Sequence, residues 1–280
     1  MTEPTHRTGS IPSGDVTLFY RAFGLPGAAP LLILHGTNYF DSYDWIYVAD
    51  ALATDREVVE FDHRGVGNST RSPTKNYSLD AMLSDIVTVS AYFGWDRPIV
   101  MGHSMSGRLS VFFAANFPDH LSRLIVVDSA LGNGNPGGYH VSVGNAPVVF
   151  KGVEAAMASL ANRPNPPRFA LDHSRAELAL NKVEGGYSLK RDPDYRNTQS
   201  QAAGAPMPRL RDLDIWEELE KIQCPTTFIR GLKSDRYKPE HYGWIVENRP
   251  DFVVETVDSR HDVAFEAPDE LVAVVRRYLD

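Results

Sequence analysis

Pro98-Ile99-Val100-Met101-Gly102-His103-Ser104-Met105-Ser106-Gly107 is the stretch on which the fold turns. A short run that is apolar throughout, closed by glycine, suits a parallel strand buried on both faces. The run Leu109 to Ala115 that follows reads as a helix. Between the two stands a serine with a small residue two positions before it and another two positions after it. A strand-to-helix turn that tight leaves no room for larger side chains at those flanks, and it lifts the central hydroxyl clear of the sheet. It also aims the N-terminus of the helix at any negative charge developing beside that hydroxyl. Ser106 stands where glycine is commoner, but it is still small.

Working outward, the same rhythm repeats. Leu31-Leu32-Ile33-Leu34 runs into His35-Gly36, Val58-Val59-Glu60-Phe61 into Asp62, and Leu124-Ile125-Val126-Val127 into Asp128. Helical periods lie among these runs. Leu79, Met82, Leu83, Ile86 and Phe93 share one face with Ser78 as N-cap, and Leu271, Val274, Val275 and Tyr278 form another behind Pro268. Asp15 to Phe23 reads as an earlier, more exposed antiparallel strand. Alternating strands and helices imply an α/β fold with a parallel sheet and helices on both faces. From about Ser129 to Ile222 the sheet rhythm stops, and Pro/Gly-rich stretches alternate with helical patches at Val153 to Leu160 and Arg175 to Val183. It resumes at Thr226 to Ile229 and Phe252 to Val254. An irregular, mostly helical insertion of this kind reads as a lid.

Composition narrows the function. The 280 residues carry a net charge of −8, which argues against nucleic acid or an anionic membrane as partner, since both require a basic face. Cys224 is the only cysteine, so neither an intrachain disulfide nor a cysteine-rich metal site is expected. The polar start MTEPTHRTGS lacks the apolar core of a signal peptide, and no run approaches the about 18 apolar residues of a membrane span. The expectation is a cytoplasmic enzyme without a metal or cofactor, because zinc, phosphate-loop and dinucleotide motifs are all lacking.

His35-Gly36-Thr37 and Asp62-His63-Arg64-Gly65-Val66-Gly67-Asn68-Ser69 complete a pattern that resembles the α/β-hydrolase family. The turn after the third strand, the loop after the fourth and the nucleophile elbow after the fifth occur in the family's order. The resemblance implies a mostly parallel central sheet with helices on both faces. It places a core domain at 1–130 and 223–280 and a mainly helical lid at 131–222. It implies Ser104 as nucleophile, His261 as general base, and the backbone amides of Thr37 and Met105 as oxyanion donors. Aspartate-dependent dehalogenase and epoxide-hydrolase chemistry is excluded by the serine. For the acid, two carboxylates qualify. Asp235 follows the Thr226–Ile229 run, the usual family site, and is favoured. Asp128, at the end of the preceding strand, is the alternative. Arg64 and its glycines are read as structural, His35 as part of the oxyanion turn, and His103 as packing.

The expected reaction is cleavage of a small to medium carboxylic ester through an acyl-enzyme on Ser104. Tyr39, Phe40, Tyr43, Phe150, Trp216, Tyr242 and Trp244 suggest a hydrophobic or aromatic small-molecule substrate. Lys151, Arg163 and Arg168 read as solvated lid charges, with binding of a substrate carboxylate as the other reading. A C–C hydrolase of vinylogous diketones, a cofactor-free dioxygenase and a non-catalytic ligand receptor remain as alternatives on the same fold. Oligomeric state is not readable.

Overall fold

A computed structural model describes residues 3–36, 41–129, 149–162, 166–195, 215–236 and 239–279. The chain opens with a β-hairpin, β1 (Arg7–Ser13) and β2 (Val16–Phe23). It continues through β3 (Leu31–Leu34), α1 (Ile46–Leu52), β4 (Val58–Phe61), α2 (Leu79–Tyr92), β5 (Ile99–His103), α3 (Met105–Asn116) and β6 (Arg123–Val127). Then come α4 (Val153–Ala161), α5 (Arg168–Leu171), α6 (His173–Leu178), β7 (Leu180–Val183) and β8 (Gly186–Leu189). The last part holds α7 (Trp216–Lys221), β9 (Thr226–Gly231), α8 (Pro239–Asn248), β10 (Val253–Val257), α9 (Val263–Glu266) and α10 (Pro268–Arg276).

Eight strands form one sheet in the order β1-β2-β4-β3-β5-β6-β9-β10. β2 pairs antiparallel with both β1 and β4, and the remaining neighbours are parallel. The central strands β3, β4 and β5 are buried residue by residue, which is why their sequence shows no alternation. One face packs Leu32, Leu34, Val59, Phe61 and Val100 against α2 and α3. The other packs Leu31, Ile33, Val58, Ile99 and Met101 against α1 and α10. β1 escaped the sequence reading because Arg7-Thr8-Gly9-Ser10 is polar and mostly exposed, as an edge strand can be. β2 is more buried than expected, since Val16, Leu18 and Ala22 pack into the core on one face of the sheet and Phe23 into the core on the other.

The segment between β6 and β9 carries its own small core of Phe150, Val153, Ala156, Leu160, Phe169 and Ala176. Here one expectation fails. The helical patch read over Arg175 to Val183 ends at Leu178, and the chain from Leu180 turns at Glu184-Gly185 into the β7–β8 hairpin. That hairpin is sewn into the Asp62–Ser69 loop: Gly67 N–H donates to Lys190 C=O at 2.7 Å and Asp192 N–H to Gly65 C=O at 2.7 Å. The loop is stiff beneath it. Asp62 accepts from Ser42 and from Asn68 N–H, and a Cβ at Gly67 would meet its carboxylate at 2.2 Å. Arg64 forms a two-pronged pair with buried Asp85, both contacts at 2.7 Å. No helix among the described residues is long and apolar enough to cross a membrane.

Candidate active site

β5 delivers Ser104 at its C-terminal end. Gly102 lies so close to the next helix that a Cβ there would sit 2.3 Å from Ser106 C=O, so this position excludes every side chain. Ser104 itself has φ 56° and ψ −122°, outside the regions open to ordinary residues without strain. Its N–H donates to Val127 C=O at 3.0 Å and its C=O accepts from Gly107 N–H at 3.0 Å, which fixes the turn on both sides. Met105 begins α3, so its amide stands at a helix N-terminus of twelve residues, where backbone N–H groups favour negative charge.

Two further loops converge on the serine. His261 Nε2 accepts from the Ser104 hydroxyl at 3.0 Å, and His261 Nδ1–H donates to Asp128 Oδ2 at 2.6 Å. Both distances lie within the hydrogen-bond reach needed for proton transfer. The Asp128 side chain is fully buried and that of His261 is 11% exposed. Asp128 also accepts from Gly231 N–H at 2.9 Å and from the Ser234 hydroxyl at 2.5 Å, so its carboxylate is anchored from β9 and the loop beyond it. That hold accounts for the otherwise unfavourable φ of 42° at Asp128.

Asp235, the acid favoured in the sequence, is not the carboxylate that His261 meets. Its side chain is 35% exposed and pairs with Arg236 at 3.2 Å. The cause is one residue of loop geometry. Leu232 N–H and Lys233 N–H bind Val257 and Ser259 C=O, and this path brings Ser234, one position early, against Asp128. Asp128 then occupies His261 Nδ1.

His103 does more than pack. Its Nε2–H donates to His261 C=O at 2.9 Å, and its ring lies 4.9 Å from the His261 ring. Burial, and then the neighbouring His261, hold its pKa down at about 3, so it stays neutral while bracing the His261 backbone. The signal for this was its place beside the elbow, which the strand pattern alone reads as inward packing.

Around the serine, the segment between β6 and β9 is fastened by charged groups. Arg168 N–H donates to Asp262 Oδ2 at 3.0 Å, one residue beyond His261. Burial, and then the Asp44 carboxylate, push Asp262 up to about 7. Arg175 is fully buried and grips Asp44 at 2.7 and 2.8 Å and Asp41 at 3.0 Å, tying α6 to the turn before α1. Arg168 is held by Asp172 and lies near the rings of Tyr43, Tyr47 and Phe265. Lys151 is exposed. Of the aromatics, Trp216 and Trp244 pack on each other at 4.6 Å and against the main core, and Phe150 belongs to the segment's own core. Tyr242 is 37% exposed. Thr37, Tyr39, Phe40 and Arg163 lie outside the described residues. Among the described residues, no three His, Cys, Asp or Glu side chains are placed to hold a metal ion.

Residues 29–268 match the alpha/beta hydrolase fold family. The chain belongs to that family. Esterase YbfF of Escherichia coli is 27% identical over 266 residues, covering 90% of this chain and 93% of the esterase. A Caulobacter protein provisionally named a carbamate hydrolase, RutD, is 30% identical over 185 residues; the match spans 65% of this chain and 64% of that one, under two thirds of its length. The solved structure of E-2-(acetamidomethylene)succinate hydrolase superposes with a TM-score of 0.83 at 22% identity, covering 99% of this hydrolase-family chain and all of the other.

Proposed function

We propose that this α/β-hydrolase cleaves a carboxylic ester of a small molecule through an acyl-enzyme on Ser104. The observation that carries the reading is the continuous hydrogen-bond line from Ser104 Oγ through His261 to buried Asp128, at 3.0 and 2.6 Å. In this mechanism His261 Nε2 takes the Ser104 proton as the hydroxyl attacks the carbonyl. Asp128 holds the Nδ1–H tautomer and stabilises the imidazolium. The oxyanion rests on the amides of Met105 and Thr37. The imidazolium then gives its proton to the leaving alcohol, and water repeats the sequence to release the acid. The segment between β6 and β9 serves as a lid, fastened to the site at Asp262 and Asp44.

A second reading extends the same chemistry to a C–N bond, as in a carbamate; the RutD-like relative favours it, and only the leaving group differs. The aromatic substrate expectation keeps less support, since Trp216, Trp244 and Phe150 are spent on packing. The test is fluorophosphonate treatment followed by intact mass and peptide mapping. One adduct on Ser104, lost in His261→Ala, is expected, together with turnover of short p-nitrophenyl esters. A parent enzyme that labels elsewhere, or hydrolyses those esters unchanged as Ser104→Ala, would sink the reading.

A further inference from the structure

Ser106 occupies the second small position of the elbow, yet it does more there than stay small. It is 1% exposed, and its hydroxyl donates to His35 C=O at 2.5 Å. The His63 ring closes the arrangement from β4: its Nε2 lies 2.8 Å from Ser106 Oγ and 3.2 Å from His35 C=O. With the Ser106 proton committed to the carbonyl, Nε2 of His63 is the donor to both oxygens. His35 is fixed in turn. Its Nε2 accepts from His63 N–H at 3.1 Å, so the proton resides on Nδ1 and is donated to Gly36 C=O at 2.6 Å. Three loop ends, after β3, after β4 and after β5, thus meet in one buried set of directional bonds. Two of its bonds end on the carbonyl of His35 and one on that of Gly36, and the other two tie His63 to Ser106 and to the His35 ring.

A carbonyl held in place fixes its whole peptide plane. The Gly36 carbonyl belongs to the peptide unit that leads into Thr37. A glycine at the position of Ser106 would satisfy the tight turn equally well, but it would leave the His35 carbonyl without its shortest bond. We propose that Ser106, acting with His63 through His35, is a positioning residue that preorganises the turn leading to the oxyanion donor after β3. The proposal rests on the acyl-enzyme reading above. It separates two demands on one position, smallness for the elbow and a hydroxyl for the neighbouring loop. Both imidazoles belong to the device as neutral donors and acceptors, and burial keeps both below the usual histidine range.

The test compares Ser106→Ala with the parent on a short p-nitrophenyl ester, with rates expressed per fluorophosphonate-labelled site. Losing one oxyanion donor costs about 10²–10³-fold in kcat. Loosening its support should therefore cost roughly 10-fold or more in kcat, with KM nearly unchanged. Affinity for a trifluoromethyl ketone, whose adduct carries the oxyanion, should fall by a similar factor. A purely structural serine would lower the melting temperature and the labelled fraction but leave both quantities per labelled site unchanged, and that result overturns the proposal. If Ser106→Ala does not fold, Ser106→Gly, which the tight turn accommodates and which also lacks the hydroxyl, is read the same way. A parent that neither labels on Ser104 nor turns over the ester removes the acyl-enzyme reading itself, and this proposal with it.

Discussion

The backbone of Ser104 is held in a left-handed conformation that costs roughly 1–3 kcal/mol for a residue bearing a side chain. Replacing it by glycine should abolish turnover and raise stability by about 1 kcal/mol, measured by urea unfolding of Ser104→Gly against Ser104→Ala. An equal or lower midpoint for the glycine variant would show that the turn is relaxed. The acid assignment is tested at the same scale. Asp128→Asn should reduce kcat by about 10⁴-fold, the loss found when a triad aspartate stops fixing the imidazole tautomer. Asp235→Asn, at a partly exposed carboxylate paired with Arg236, should change kcat little. The reverse ranking would return the acid to Asp235. Ser104 and His261 were legible because each sits in a local pattern at a strand end. The carboxylate that meets His261 was not, because the choice depends on which residue of a loop arrives beside another strand. A single-residue offset between Ser234 and Asp235 is invisible in a linear chain. The same limit hid the bond from His103 to the His261 carbonyl.

At the scale of elements, the central strands announced themselves as apolar runs, and the elbow, α2, α3 and the C-terminal helix followed. What escaped was held by polar contacts at long range. β1 is a polar edge strand. β7, the first strand of the hairpin, was read as helix because local propensity over Leu180–Val183 says little, while pairing with Gly186–Leu189 and docking on Gly65–Gly67 decide the outcome. The Arg64–Asp85 pair is the hidden support of that docking platform. Arg64→Ala would leave Asp85 charged and buried, and it should cost about 3–5 kcal/mol by thermal or denaturant unfolding. Arg175 serves the other end of the segment. Arg175→Met should expose α5 and α6 to limited proteolysis while the sheet core stays protected, because Asp41 and Asp44 lose their shared partner. Simultaneous loss of core protection would mean that the segment and the core unfold as one unit.

For the whole molecule, composition and length set the right class: a large apolar core and an acidic surface. Its pH response is decided inside. Asp262 is raised to about 7 by burial and by Asp44, whereas an unfolded aspartate titrates near about 3.9. Between those values the folded chain binds one proton more than the unfolded chain, so stability falls as pH rises through this window. Below it both states are protonated, and above it both are ionised. Asp262→Asn keeps an acceptor for Arg168 N–H without the titration. Its stability advantage over the parent should grow from about pH 4 to pH 7 and then level off, reaching a few kcal/mol at most at about 1.4 kcal/mol per pKa unit. A difference that is flat across the window would show that Asp262 titrates elsewhere.

The segment between β6 and β9 leaves and re-enters the sheet between strands that lie side by side, with Asp128 N–H bonded to Ile229 C=O at 2.7 Å. The two strands run parallel, so the segment leaves at the C-terminal end of β6 and has to cross back along the sheet to enter the N-terminal end of β9, where Thr226 lies beside Leu124. Any excursion long enough to make that crossing serves, which makes the segment exchangeable. A shorter or longer excursion alters the cost of loop closure only slowly with length, so lineages and engineers alike can replace it without redesigning the sheet. The seam nevertheless carries Asp128, Gly231 and Ser234. A graft is free in everything except its point of departure beside Asp128, where a shift of one position would take that carboxylate away from His261.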